Sequence, residues 1–264
     1  MNDPMTADQT ESGGQSTETI AEALDALIER HGGLQGPRLV EFFRALKGHG
    51  LTAFRDKFSA PYLAQRHFEV ATLIDVGVAH GTPELYEAFP EAKVLLVDPD
   101  RETLEGCMGR FPHLDADMVC VAAGAEDGSG QMTFMPDPGQ NTLLRLRDDK
   151  KLETMIAQQH VPIRRLDQLV REGGYQAPFG LKIDTEGYEL EVLRGASDIL
   201  HETSFILAEV SIKRRYHGGH RFSDVTAMLA QHGFELFDIL NPAGRPPNFF
   251  DGLFLPHDDT RFDL

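Results

Sequence analysis

A chain of 264 residues with 41% apolar and 25% charged side chains is long enough for one or two domains with a sizeable core, which excludes a mostly disordered, collagenous or coiled-coil chain. Asp and Glu outnumber Lys and Arg by 42 to 25, a formal charge of −17 that repels nucleic-acid phosphates and anionic lipid, so no nucleic-acid partner is expected. Two cysteines, Cys107 and Cys120, are too few for a disulfide framework or a cysteine-built zinc site and read as buried thiols. No basic start followed by an apolar run marks a signal peptide, and no stretch approaches the ~18 apolar residues of a membrane span. A reducing, cytoplasmic location without membrane insertion is the expectation.

Residues 1–16 are polar and read as a solvated, mobile tail, and residues 17–68 as a helical N-terminal cap. Thr19 and Glu22 form a capping box ahead of Ile20, Leu24, Leu27 and Ile28 on one helical face; a second helix starts near Pro37, carries Leu39, Val40, Phe43 and Leu46, and ends at Gly48. Neither helix buries its stripe alone, so the pair is expected to cover the site or to form a homodimer contact. From about Val70 short apolar runs alternate with helical patterns, the signature of βαβ units and a mainly parallel sheet. Strands are predicted over Ala71–Ile74, Lys93–Val97, Met118–Ala122, Gly180–Ile183, Phe205–Val210, Phe234–Leu240 and Gly252–Leu255, and helices over Pro83–Ala88, Arg101–Arg110, Leu166–Glu172, Tyr188–Leu200 and Ser223–His232. The short turn-rich connection 241–248 makes the last two strands an antiparallel hairpin. A parallel sheet closed by such a hairpin is the ground plan of the S-adenosylmethionine-dependent methyltransferases.

Four passages carry chemistry. In Asp75-Val-Gly77-Val-Ala-His-Gly81-Thr82-Pro83 an apolar strand enters a glycine turn, and Thr82 with Pro83 opens a helix. The spacing is D-x-G-x-x-x-G, not the G-x-G-x-x-G that fits a pyrophosphate, which suits a ligand with a cationic amino-acid end beside Asp75. Twenty-three residues after Asp75, Asp98 ends the second strand, where a carboxylate accepts both ribose hydroxyls of a nucleoside; a turn or cap carboxylate is the other reading, and Asp100 is the better cap. The small residues around Ala123 leave room for a flat ring, with Glu126 or Asp127 as acceptors for an exocyclic amine. Lys182-Ile-Asp184-Thr-Glu186-Gly-Tyr-Glu-Leu-Glu-Val-Leu-Arg-Gly-Ala196 delivers two carboxylates to a strand's C-terminal end, where ligands bind in open α/β sheets. Acid gathered there can hold a sulfonium or take a proton from a hydroxyl.

That last passage closely resembles K-I-D-x-E-G-x-E-x-E-V-L-x-G-A, the hallmark of the FkbM-type methyltransferases. The family's upstream strand with L-D-x-L is similar to Val161–Leu169, its cofactor loop resembles Asp75–Gly81, and its A-x-x-x-x-x-G resembles Ala122–Gly128; the likeness covers about 71–255. His80 and Thr185 depart from it, at the rim of the site. The resemblance implies a Rossmann-like class I methyltransferase domain over 69–264, with a seven-stranded mainly parallel sheet. It also implies methyl transfer from S-adenosylmethionine to a hydroxyl of a saccharide, nucleotide sugar or polyketide-type molecule. By that resemblance Asp75, Gly77 and Gly81 line the amino-acid end of the cofactor, Asp98 the ribose, and Asp184 with Glu186 the reacting end.

The base that activates the hydroxyl is Asp184 by position, with His217 and His220 as rivals. Both histidines lie in the loop Ser211–Arg221, which follows Glu209 and carries Lys213, Arg214, Arg215 and Arg221. In so acidic a chain this loop reads either as a clamp for an anionic acceptor or as an internal counterpart to the protein's own carboxylates. Asn141 is a further candidate for contact with the acceptor. Asp184, Glu186 and Glu209 are oxygen ligands that Mg²⁺ uses, but no ligand set of defined geometry is legible and no metal is predicted. A nicotinamide-dependent oxidoreductase and a binding module that has lost turnover are the alternatives.

Overall fold

The computed structural model describes residues 44–48, 57–241 and 248–263. The chain divides into two compact units, Met1–Arg55 and Asp56–Leu264. Of the first unit, residues 44–48 are described and are helical, at the end of the second expected helix; the polar tail and the rest of both helices lie outside the described residues.

The larger unit holds twelve strands among its described residues: β1 (Thr72–Val76), β2 (Lys93–Val97), β3 (Ala116–Val119), β4 (Ala122–Ala123), β5 (Gly128–Phe134), β6 (Arg145–Leu146), β7 (Ala157–Arg164), β8 (Phe179–Ile183), β9 (Thr203–Ser211), β10 (Tyr216–His217), β11 (Phe234–Asn241) and β12 (Phe249–Pro256). Between them run α1 (Ala60–Ala64), α2 (Pro83–Ala88), α3 (Arg101–Arg110), α4 (Asp149–Leu152), α5 (Leu166–Gly173), α6 (Glu189–Gly195) and α7 (Phe222–Gln231). The main sheet has seven strands in the order β11-β12-β9-β8-β1-β2-β3. β3, β2, β1, β8 and β9 are mutually parallel, and β12 pairs antiparallel with both β9 and β11. This is the Rossmann-like plan of class I methyltransferases, and the antiparallel β12 between β9 and β11 separates it from the all-parallel dinucleotide-binding sheet.

The inner strands are apolar along their length because both faces are covered. On one face Ile74, Val76, Leu95 and Ile206 pack with Leu166, Val192, Leu193 and Val225 from α5, α6 and α7. On the other Leu73, Val94, Leu96 and Leu207 meet Leu63, Leu85, Tyr86 and Leu104 from α1, α2 and α3. α1 and Phe68 therefore belong to the sheet's own core, Phe68 lying 4.8 Å from Phe205 between ring centroids, and the compact unit starts about a dozen residues before the expected boundary at 69.

The expected strand Met118–Ala122 is two strands. It breaks where Val121 N donates to Val119 O at 3.0 Å. Ala122 and Ala123 then leave the main sheet to pair with Ile163 and Arg164 of β7. β7 and its antiparallel partner β5 form a second, three-stranded sheet that the sequence pattern did not reveal, since both strands are largely exposed and polar. β6 and β10 make a small antiparallel pair that fastens the segment 135–148 to the loop after β9. The expected helix Tyr188–Leu200 is shorter: α6 stops at Gly195, where its backbone lies close to the Gly124 carbonyl, and a 3₁₀ turn follows at Leu200–Glu202.

A Cβ at Gly195 would overlap the Gly124 carbonyl, so Gly195→Ala is expected to cost about 1–3 kcal/mol in denaturant unfolding. Gly106, inside α3 with open space around it, is the control: Gly106→Ala is expected to raise stability by roughly 0.5–1 kcal/mol.

Candidate active site

β1 and β8 are neighbours at the point where the sheet's strand order reverses, so their C-terminal turns meet over one crevice. The turn after β1 has positive φ at Gly77 (+78°), Ala79 (+45°) and Gly81 (+82°). Gly77 is required by the approach of the neighbouring turn, because a Cβ there would overlap the Asp184 carbonyl. Asp98 holds the turn from the end of β2: Val78 N donates to its Oδ2 at 2.9 Å and Asp100 N to its Oδ1 at 2.8 Å. Burial pushes the Asp98 carboxyl up to about 6 against the opposing pull of those amides. Asp100 caps α3 as expected, accepting from Glu102 N at 3.0 Å.

Asp75 takes a different post from the one expected. It is fully buried, its Oδ2 accepts from Tyr86 Oη at 2.6 Å and from Thr82 Oγ1 at 3.0 Å, and Lys182 Nζ lies 3.0 Å from its Oδ1. Fully buried among these partners, the side chain anchors α2 and Lys182 and lines neither cavity described below. Lys182 also donates to the Gly77 carbonyl and stands 3.9 Å from Asp184. Burial alone would lower this ammonium's pKa; Asp75 and Asp184 more than offset it and hold Lys182 above its ordinary value.

The turn after β8 is held by a residue to which the sequence reading gave no role. Glu189, in the first turn of α6, is buried, and its Oε1 accepts from Thr185 N at 2.9 Å and Gly187 N at 3.0 Å. This pins Glu186 in a left-handed conformation, φ +50°, beside Gly187 at +101°. Glu186 receives a hydrogen bond from Tyr216 Oη and an ion pair from Arg215 Nη1 at 2.9 Å, and Thr142 Oγ1 donates to its carbonyl at 2.8 Å.

Two cavities open on this framework. The first, about 530 Å³, has apolar walls from Val97, Ala122, Ala123, Met132, Leu143 and Tyr188, with Asp98, Asp184 and Glu186 as its acidic residues. The second, about 730 Å³, is lined by Lys182, Glu209 and Asp251 and has Glu84, His80 and Asp137 at its rim. Ala79, Gly139 and Asp184 line both. The Asp184 side chain is 36% exposed, and its pKa is raised by burial and by Asp75, with Lys182 and Arg215 opposing. Glu209 is raised too, by burial first and then by Asp184 and Glu186.

Several expected site residues stand elsewhere. Gly81 lines the second cavity and packs against Phe111 and Cys107. Glu126 is exposed and lines neither cavity, while Asp127 is spent on Arg164 and on the Arg165 amide. Asn141 lines the first cavity, not the second, and its Oδ1 accepts from Met135 N at 2.8 Å, which shapes the turn above that cavity. The basic loop is no open clamp: Arg215 sits between Glu186 and Glu209 and pairs with both. Lys213 and Arg214 are exposed outside both cavities, and His217 is exposed on β10, opposite Arg145. His220 is buried behind the β8 turn, its Nδ1 3.2 Å from the Gly187 carbonyl and 3.4 Å from Glu189 Oε2, with its pKa lowered by burial. Neither histidine reaches the crevice as a base. Among the described residues no three metal-binding side chains group as a metal site, and the position between Glu186 and Glu209 is held by a guanidinium.

Residues overlooked in the sequence are Lys182, Glu189, Tyr188 and Tyr216. Lys182 had a signal, since period-two alternation puts it on the same strand face as Asp184. Tyr216 had none, because its partner Glu186 is thirty residues away.

Sheet order, glycine turn and carboxylate-ended strands define the chain as a Rossmann-like protein of class I methyltransferase architecture. The model of the methyltransferase FkbM domain matches residues 75–236, and the chain belongs to that family. It is 27% identical over 161 residues to the hexuronic acid methyltransferase AglP of Haloferax volcanii, covering 60% of this chain and 61% of that protein. It is 24% identical over 160 residues to the 2-O-methyltransferase NoeI of Sinorhizobium fredii, covering 55% and 65%. The match thus spans less than two thirds of each relative's length. Among solved structures, methyltransferase FkbM from Methylobacillus flagellatus KT aligns over 92% of this chain and 60% of its own, at 16% identity and a TM-score of 0.45.

Removing one member of a buried ion pair strands the other, so Lys182→Met and Asp75→Asn are each expected to cost about 3–5 kcal/mol in urea unfolding. The double variant is expected to lose less than the sum of the two, and additive losses would show that the pair is not coupled.

Proposed function

We propose that the chain transfers a methyl group from S-adenosylmethionine to a hydroxyl of a saccharide acceptor. The observation that carries this reading is the place of Asp184, whose carboxylate lines both cavities and so faces a donor on one side and an acceptor on the other. The first cavity fits the cofactor's nucleoside: apolar walls at Ala122, Ala123, Leu143 and Tyr188 suit a flat base, and Asp98 suits the ribose hydroxyls. Bound there, the cofactor supplies an electrophilic methyl group on a sulfonium. The β1 turn and the Asp184 edge of the crevice would take its amino-acid end.

The acceptor side is the second cavity. A sugar hydroxyl is a poor nucleophile while it keeps its proton, and Asp184 is the group placed to accept that proton. Burial lifts its pKa, so it holds a proton more firmly than an ordinary carboxylate. Lys182, 3.9 Å away, keeps its ionised form in place. Arg215 and Tyr216 fix Glu186, and Glu189 fixes the turn that aims Asp184. The turn geometry therefore supplies orientation, which is a large share of what such a displacement needs. The hexuronic acid named for AglP favours a sugar over a polyketide as acceptor, and the 2-O-methyl transfer named for NoeI favours a hydroxyl.

Asp184→Asn is expected to lower kcat by about 10²–10⁴ while the calorimetric Kd for S-adenosylmethionine stays within about threefold. Tight binding of NAD with none of S-adenosylmethionine would overturn the reading, and binding without S-adenosylhomocysteine formation from a pool of sugars would point to a silent module.

Asp98 gives a pH test. Its pKa of about 6 belongs to the free protein, and ribose hydroxyls donate to its ionised form, so binding favours loss of the proton. Affinity for the cofactor is expected to be full above about pH 7 and to weaken up to about tenfold per unit below pH 6. In Asp98→Asn the affinity is expected to be lower and the pH dependence absent. Titration calorimetry between pH 5 and 8 reads both.

A further inference from the structure

We propose that the second cavity selects an uncharged, hydroxyl-rich saccharide unit and turns away sugars bearing a carboxylate or phosphate. This rests on the reading above that the cavity receives the acceptor, and it narrows the substrate class away from the hexuronic acid for which AglP is named.

The charges around the chamber carry the inference. Glu84, Asp137, Asp184, Glu209 and Asp251 line it, against Lys182 and His80. Both of those basic groups are engaged: Lys182 with Asp75 at 3.0 Å and with the Gly77 carbonyl, His80 with Asp137 at 3.2 Å. The loop after β9 has turned its arginine inward, where Arg215 bridges Glu186 and Glu209 and is itself largely buried. Lys213 and Arg214 border a separate narrow groove of about 190 Å³ with Gly187 and Tyr216. Among the described residues, then, no cation lining the chamber is left over for an anionic acceptor.

Carboxylates only accept hydrogen bonds, and a neutral sugar offers several hydroxyl donors to them. A uronate or a sugar phosphate brings acceptors and negative charge to walls already crowded with both. Burial and then Asp184 raise Glu209, and burial and then Asp75 raise Asp184, so the chamber resists even the charge it owns. The sulfonium of the donor adds one positive charge on the far side of Asp184, but the donor brings its own carboxylate with it.

The test uses the full chain with S-adenosylmethionine and a pool of oligosaccharides in matched sets: a neutral terminal hexose, its uronate and its 6-phosphate. Mass spectrometry of the methylated products gives the ratios within each set. The neutral member is expected to exceed both partners by at least about tenfold at low salt. Glu84→Lys, which puts a cation at the rim, is expected to narrow that ratio. A uronate or phosphate methylated as fast as its neutral partner, or faster, overturns the proposal and leaves the methyltransferase reading standing. Methylation confined to acceptors that are not sugars overturns both.

Discussion

Two buried cations allow four carboxylates to share the end of one sheet. Asp75, Asp184, Glu186 and Glu209 converge within the β1, β8 and β9 turns, and without compensation their mutual repulsion and desolvation would neutralise or expel them. Lys182 serves the Asp75–Asp184 side, and Arg215 serves the Glu186–Glu209 side. The difference between the cations follows from their shapes. Lys182 is a compact charge rising from inside the sheet and touching a backbone carbonyl, whereas the planar fork of Arg215 reaches two acids from a loop. Remaining negative charge is concentrated at Asp184, the carboxylate of the four with the most exposure to solvent.

Backbone constraints complete the arrangement. The turn after β1 and the turn after β8 approach so closely that Gly77 has no room for a side chain, and the same crowding forces Glu186 into a left-handed conformation. That strain is held by Glu189, which returns from the next helix to accept from the amides of the turn. The hallmark passage thus codes a mechanical part and a chemical part in alternation. Lys182 and Glu189 hold, Asp184 faces the ligand space, and Glu186 is held by a residue far along the chain.

The main sheet was legible because strands buried on both faces leave continuous apolar runs, as β1, β2, β8 and β9 do, and helices separate them along the chain. All seven strands of that sheet lie near their expected positions, and the hairpin closes it as its short connection required. The second sheet was not legible, since β5 and β7 are solvated on their outer faces and show no apolar run. That Asp98, Ala123 and Asp184 line the crevice was readable because each sits at a strand end, a position that topology alone directs there. The loop after β9 stayed open between a clamp and an internal counterpart to the protein's acids, and Arg215 takes the second part. Its charge excess was visible, but nothing in one dimension tells whether a guanidinium points outward to a ligand or inward to the protein's own acids, and Arg215 points inward. Asp75 failed similarly, because its partners Tyr86 and Lys182 are identified only by packing.

The small pairing of β6 with β10 has a consequence for anyone who would re-engineer this scaffold. Arg147 reaches the Tyr216 carbonyl at 3.0 Å, Thr142 reaches the Glu186 carbonyl, and Asn141 shapes the turn over the first cavity, so the roof of one chamber and the wall of the other are sewn into a single piece. Transplanting the loop 211–221 from a relative would import only half of that seam. A chimera designed to swap one recognition element needs to carry the segment 135–148 with it, as a matched set.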